Sequence, residues 1–180
     1  MRIISGIHKG RRIQAPKNLP TRPTTDRAKE ALFNILENQY SFSDISILDL
    51  FSGIGSISLE FGSRGVKDID LVEKNSNCIK HLNKTFEGLN LKANINKRDV
   101  FQYIEQNKKS YDVIFADPPY EIEKEKLNEL IEIINQNEML KNEDSQIIIE
   151  HSKFLSLEDH PQFIQSRRYG LSNFSFFEKL

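Results

Sequence analysis

The sequence predicts an α/β fold: one doubly wound, mostly parallel sheet with helices on both faces, antiparallel strands at the C-terminal end and a short basic hairpin arm at the N-terminus. Three observations predict it. Strand-length apolar runs alternate with helical stretches, the pattern of parallel strands joined by crossover helices. The tail "RRYGLSNFSFFEKL" alternates apolar and polar residues with no helix left to follow, so it closes the sheet with antiparallel strands. With 180 residues and 38% hydrophobic composition the chain can bury one sizeable core, and no interior stretch is rich enough in Pro, Gly or Ser to divide it.

Taken in order, the first element is basic. Of 25 Lys and Arg, six lie in residues 1–22 with no acid among them, so the remainder carries 19 against 26 Asp and Glu. This asymmetry reads either as an arm that meets polyanions or as a solvated surface ribbon. We therefore divide the chain into an arm, 1–22, and a domain, 23–180. Next, "RPTTDRAKEALFNILEN" has turn chemistry, a Thr or Asp cap and apolar residues on one face, Ala28, Ala31, Leu32, Ile35 and Leu36, which predicts a helix over 25–37. The runs 45–51, 68–74, 93–99, 111–117 and 145–151 are expected as strands, with helices in "NSNCIKHLNKTFEGL" and "KEKLNELIEIINQN" between them.

Several function classes are excluded at this stage. The opening "MRIISGIHKGRRIQAPK" interrupts its apolar residues with charge too often for a signal peptide, and no stretch approaches the ~20 apolar residues of a membrane span. A cytoplasmic protein is expected. Cys78 is the only cysteine and His8, His81, His151 and His160 lack ligand-like spacing, so neither a disulfide nor a metal site is expected.

In open parallel sheets ligands bind beyond the carboxyl ends of the strands, so the residues there carry the functional information. The first strand ends in "LDLFSGIGSISLE", where Gly53 and Gly55 permit a tight turn and close approach of backbone to a ligand ahead of a helix N-terminus. A plain tight turn is the alternative, since Ser58 stands where a dinucleotide fingerprint has its third glycine. The second ends in "LVEK", with Glu73 at the ~20-residue distance from the glycines at which an acid accepts ribose hydroxyls. Together they suit an adenosine-bearing ligand. After the third, Asp99 is either an acceptor for an adenine amino group or a helix N-cap, and Asp49 is either part of the site or an orienting acid beneath the glycine loop. Glu150 and His151, ending a later strand, are read as structural.

The fourth strand ends in "ADPPY". Two prolines fix successive φ angles, hold Asp117 extended, remove backbone donors and leave carbonyl acceptors such as that of Pro118, while Tyr120 offers a face on which a planar base stacks. An amine conjugated to a ring is a poor nucleophile. Acceptors at its N–H groups raise electron density on nitrogen and stabilise the charge that develops as an electrophile arrives. The turn suits alkylation of an exocyclic amine, with Asp117 a hydrogen-bond acceptor rather than a general base. A rigid turn closing a strand is the plainer alternative, but it leaves the acid and tyrosine unexplained.

In order and spacing, "DLFSGIGS", "LVEK", "RDV" and "ADPPY" resemble the class I, Rossmann-like S-adenosylmethionine-dependent methyltransferases that modify exocyclic amines. The upstream "RPTTDRAKEALFNIL", preceded by "RIISGIHKGRRI" and followed by "RRYG", resembles more specifically the RsmD-type family, which methylates the N2 amine of a guanine in 16S ribosomal RNA. The likeness is strongest at residues 22–36, 48–60 and 117–120; Ile54 departs from it, standing where many relatives have a small residue. It implies that Ser52, Gly53 and Gly55 line the methionine part of S-adenosylmethionine, that Glu73 holds the ribose, that Asp99 and Val100 read the adenine, and that Arg22, Thr24 and Thr25 fold over the cofactor with Asp49 nearby. It further implies Asp117, Pro118 and Tyr120 at the target base, and Arg2, Lys9, Arg11 and Arg12 on RNA in a small ribosomal subunit or its assembly intermediate, the enzyme acting as a monomer. Competing assignments are an adenine-N6 or cytosine-N4 nucleic-acid methyltransferase, a protein glutamine methyltransferase, a nicotinamide-dependent oxidoreductase and an inactive nucleotide-binding module.

Overall fold

The computed structural model describes residues 1–14 and 24–180. Twelve elements follow in order: α1 (Asp26–Glu37), β1 (Ser46–Leu50), α2 (Ser56–Ser63), β2 (Asp68–Glu73), α3 (Ser76–Gly88), β3 (Asn94–Lys97), α4 (Val100–Gln106), β4 (Val113–Ala116), α5 (Lys124–Gln136), β5 (Gln146–Ser152), β6 (Phe163–Tyr169) and β7 (Ser172–Glu178). They build a seven-stranded sheet of order β3-β2-β1-β4-β5-β7-β6. The first five strands are parallel, and β7 pairs antiparallel with both β5 and β6. All five strand-length runs read from the sequence form these parallel strands, and the tail forms the antiparallel pair.

Side chains on a strand alternate between faces, and here both faces are covered. Ile47, Ile69, Leu71, Val113 and Phe115 pack under α1, α2 and α3. Their neighbours Leu48, Leu50, Val72, Ile114 and Ala116 pack under α4 and α5. This double burial explains the near-continuous apolar runs. β1 is buried at all five positions, whereas the edge strand β3 has none buried.

Helix starts follow cap chemistry. The Thr25 hydroxyl accepts the Ala28 N–H at 3.2 Å to begin α1, and Asn75 and Asp99 cap α3 and α4 in the same way. The start of α2 is instead capped by Gly55 in the left-handed conformation, φ 77°, without a side-chain bond.

Residues 1–14 are folded back as an antiparallel turn. Ile3 N–H donates to Arg11 O at 3.0 Å and Gly10 N–H to Ile3 O at 2.9 Å, with an isolated bridge between Arg2 and Arg12. The Ile3 side chain is 1% exposed and belongs to the core beside α1. Glu60 of α2, itself 0% exposed, accepts the N–H groups of Ile4 and Ser5 at 2.9 and 3.0 Å. Gly6, at φ 80°, lies so close to α2 that a Cβ would sit 1.9 Å from Ser63 O. Among the described residues no helix is long and apolar enough to cross a membrane.

Candidate active site

Strand order reverses between β1 and β4, whose carboxyl ends therefore stand side by side with loops leaving in opposite directions. A cleft of about 1130 Å³ opens there. Its walls bring together Thr24, Thr25, Asp49, Ser52, Gly53, Glu73, Asp99, Val100, Asp117, Pro118 and Tyr120, residues that lie far apart in sequence. Arg22 lies outside the described residues.

The loop after β1 is tight. Phe51 takes a left-handed φ of 58°, Ser52 N–H donates to Val72 O at 3.1 Å, and Gly55 N–H donates to Ser52 O at 2.7 Å. Gly53 N–H donates to Glu73 Oε2 at 2.8 Å and Asn75 N–H to Glu73 Oε1 at 2.7 Å, so one carboxylate ties the loop to the end of β2. Gly55 does not line the cleft. A Cβ at that position would lie 2.6 Å from Leu82 Cδ2, so this glycine lets the turn press against α3, while Gly53 alone of the pair forms cleft wall.

Asp49, 2% exposed, sits below the loop and accepts the Ser58 hydroxyl at 2.5 Å. Burial pushes its carboxyl up to about 7, opposed by the Ser58 hydrogen bond. Ser58 thus anchors Asp49 from the position where a third glycine is lacking. Asp99 is a helix N-cap, its Oδ1 accepting the Phe101 and Gln102 N–H groups at 3.0 and 3.4 Å, and the residue also lines the cleft with Val100.

Opposite, the Asp117 N–H donates to Leu50 O at 3.3 Å, continuing the β1–β4 pairing as the prolines take over. The Tyr120 hydroxyl is 2.8 Å from Ser172 Oγ. That hydrogen bond draws the "ADPPY" turn against the turn between β6 and β7. At the third wall, Thr24 Oγ1 donates to Glu150 Oε2 at 2.7 Å, both residues buried. Glu150, read from sequence as structural, therefore lines the cleft. Also unassigned by sequence were Arg27, Phe51 and the stretch Arg168 to Ser172. For the last, the turn signal of Gly170 inside "RRYG" was available; for Phe51 nothing in its residue type announces a left-handed φ.

None of the described hairpin residues lines the cleft, and its basic residues sit at different places along it. Arg2 Nε is 3.2 Å from Asp26 Oδ2, at the start of α1, where Thr25 and Arg27 line the cleft. Its bridge partner Arg12 is exposed beside it. Lys9 belongs to the far turn, where Ile7 N–H donates to Ser63 O at 2.8 Å.

One observation tests whether the cleft fits a bound nucleoside cofactor. The Ser56 hydroxyl, first residue of α2 and on the cleft wall, is buried with no hydrogen-bond partner among the described residues. A buried hydroxyl in that state is available to a polar group entering the cleft, and the helix N-terminus behind it favours one. The residues fit. Glu73, Gly53, Ser52, Ser56, Asp99 and Val100 would hold the cofactor, which supplies the electrophilic methyl group.

A parallel sheet with a seventh strand inserted antiparallel between β5 and β6, and its cleft over the β1–β4 reversal, is the class I, Rossmann-like architecture of enzymes that use S-adenosylmethionine. Comparison narrows the class. The family model described as Conserved hypothetical protein 95 matches residues 1–178, and the chain belongs to this family, the RsmD-type methyltransferases. YlbH of Bacillus subtilis is 33% identical over 187 residues, covering 99% of each chain. Ribosomal RNA small subunit methyltransferase D of Escherichia coli is 31% identical over 144 residues, covering 79% of this chain and 71% of that one. The solved structure of yhhF from Escherichia coli superposes with a TM-score of 0.86 at 26% identity, covering 99% of this chain and 97% of that one.

Proposed function

We propose that this methyltransferase transfers the methyl group of S-adenosylmethionine to the exocyclic N2 amine of a guanine in 16S ribosomal RNA. One observation carries the reading. The acceptor turn Asp117 to Tyr120 and the Gly53–Glu73 corner line a single cleft, at the carboxyl ends of neighbouring strands. In the mechanism this supports, Asp117 and the Pro118 carbonyl accept the amine N–H groups, and Tyr120, tethered through Ser172, stacks on the extruded base. The bound cofactor would supply an electrophilic methyl group to the amine nitrogen and leave as its thioether, and the proton of the alkylated nitrogen would pass to solvent, so Asp117 serves as a hydrogen-bond acceptor and no strong base is required. Relatives named for small-subunit ribosomal RNA support the substrate class. We further infer that the enzyme acts in the cytoplasm as a monomer, on a small subunit or its assembly intermediate, with Arg2, Lys9, Arg11 and Arg12 on phosphates.

The test is a nucleoside digest of small-subunit RNA after incubation with labelled cofactor. Label is expected in N2-methylguanosine; label in N6-methyladenosine or N4-methylcytidine overturns the base assignment. RNA or a reconstituted subunit with inosine at the target, lacking the amine, is expected to accept no methyl group.

A further inference from the structure

We propose that Lys153, Phe154, Arg168 and Leu171 form a ridge at the cleft mouth on which single-stranded RNA beside the target guanine stacks. The inference rests on the RNA reading above and adds a surface to it. Phe154 is 86% exposed, whereas every other phenylalanine and tyrosine among the described residues is buried or half-buried. It occupies the loop directly after β5, held in a tight turn by its N–H donating to Ser152 Oγ at 3.3 Å. The backbone there is anchored to the β6–β7 turn, because Lys153 N–H donates to Leu171 O at 3.0 Å. Leu171, 48% exposed, lines the cleft together with Arg168.

Continuity with the catalytic turn is direct. Ser152 pairs with Ser172 across β5 and β7, and Ser172 Oγ meets the Tyr120 hydroxyl at 2.8 Å. The exposed ring therefore stands on the same carboxyl edge of the sheet as the ring that receives the target base, with two short segments between them.

Charge and chemistry favour nucleic acid as the occupant. Lys153 Nζ lies 4.8 Å from the centre of the Phe154 ring, and Arg168, exposed near the end of β6, lines the cleft with Leu171. Of the acids following in the same loop, Asp159 is paired with Lys124. An aromatic face beside exposed cations is the arrangement that binds single strands without reading sequence: the ring stacks on any base and the cations meet the phosphates. A base extruded into the cleft leaves its neighbours partly unstacked, and the ridge offers one of them a replacement surface.

The test uses the full chain and small ribosomal subunits from cells lacking it. Phe154→Ala is expected to raise KM for subunits about ten-fold, the order expected when one base–aromatic stack is removed. It should leave kcat and the thermal shift given by S-adenosylhomocysteine unchanged, and Phe154→Tyr should restore KM. A benzophenone side chain at position 154 should photo-crosslink to RNA. Unchanged KM in Phe154→Ala overturns the ridge while the RNA reading stands, and a crosslink exclusively to ribosomal protein replaces RNA with a protein partner. If the wild type transfers no methyl to the RNA, the underlying reading falls and the ridge with it.

Discussion

The Gly53 N–H donates to Glu73 Oε2 at 2.8 Å, so the turn after β1 and the end of β2 form one corner of the cleft. Glu73 accepts the Asn75 N–H as well. A carboxylate with both oxygens on backbone donors is held in place before any ligand arrives, which reduces what a ribose must organise on binding. Glu73→Ala should therefore weaken S-adenosylmethionine binding by about 1–3 kcal/mol, the range for removing hydrogen bonds to a charged group. Glu73→Gln should lose less, since its amide oxygen still accepts one N–H. Isothermal titration of both variants checks this, and wild-type affinity in Glu73→Ala would remove the residue from the site.

How far the sequence led depends on how local each cause is. The parallel strands were legible because burial on both faces leaves runs such as Val113 to Ala116 without a polar residue. The position of Glu73 and Asp117 at the cleft was legible because strand ends face it in this topology. Glu60 was not: an acid in a helix reads as surface, and its burial depends on the backbone of Ile4, 56 positions away. Gly53 and Gly55 looked equivalent, yet only the position of Leu82 on α3 separates cleft wall from helix packing. Phe154 was hidden for the opposite reason, since a phenylalanine is read as core unless the fold leaves it outside.

The roles proposed for Asp117 and Tyr120 are separable. Asp117→Ala should lower kcat about 10²–10³-fold, the typical effect of removing one preorganised electrostatic partner, with cofactor affinity retained. Tyr120→Phe keeps the ring and removes the hydroxyl bonded to Ser172, so it should disturb turnover through the position of the base while sparing most of its stacking. Single-turnover kinetics with titration of cofactor distinguishes the two. Full activity in Asp117→Ala would overturn the acceptor role.

Asp49 gives the stability a pH dependence of definite sign. Its folded carboxyl is raised to about 7 by burial from an ordinary value of 3.8. Between those values the folded state holds a proton that the unfolded state has released, so stability from this group falls as pH rises, and the full penalty is present above about pH 7. Asn at this position is neutral throughout and still accepts the Ser58 hydroxyl. Asp49→Asn should therefore match wild type near pH 4 and become more stable relative to it as pH rises to 8, by at most about 4 kcal/mol. Melting temperatures of both proteins across that range provide the measurement, and a difference that does not grow with pH would show that Asp49 is not the titrating group.

The basic hairpin is attached to the core through Glu60. Glu60 meets Lys29 at 3.7 Å and Arg64 at 3.1 Å while accepting the Ile4 and Ser5 N–H groups, and the Glu60 and Lys29 side chains are 0% and 1% exposed. Removing the acid leaves Lys29 buried without its carboxylate and the two backbone donors short of an acceptor. Breaking a buried pair in this way costs about 3–5 kcal/mol, so Glu60→Ala should lower the melting temperature and release the hairpin. Trypsin should then cleave after Arg11 and Arg12 while the rest of the fold persists at low temperature. Replacing Arg11 and Arg12 by Gln disturbs nothing buried and should leave the melting temperature alone. It should instead weaken RNA binding and reduce the slope of log affinity against log salt by about one to two, since each phosphate no longer neutralised keeps roughly one counterion. Proteolysis and a salt titration thus separate a residue that positions the hairpin from residues proposed to touch RNA, and a wild-type salt slope in the double Arg variant would return the hairpin to a purely structural role.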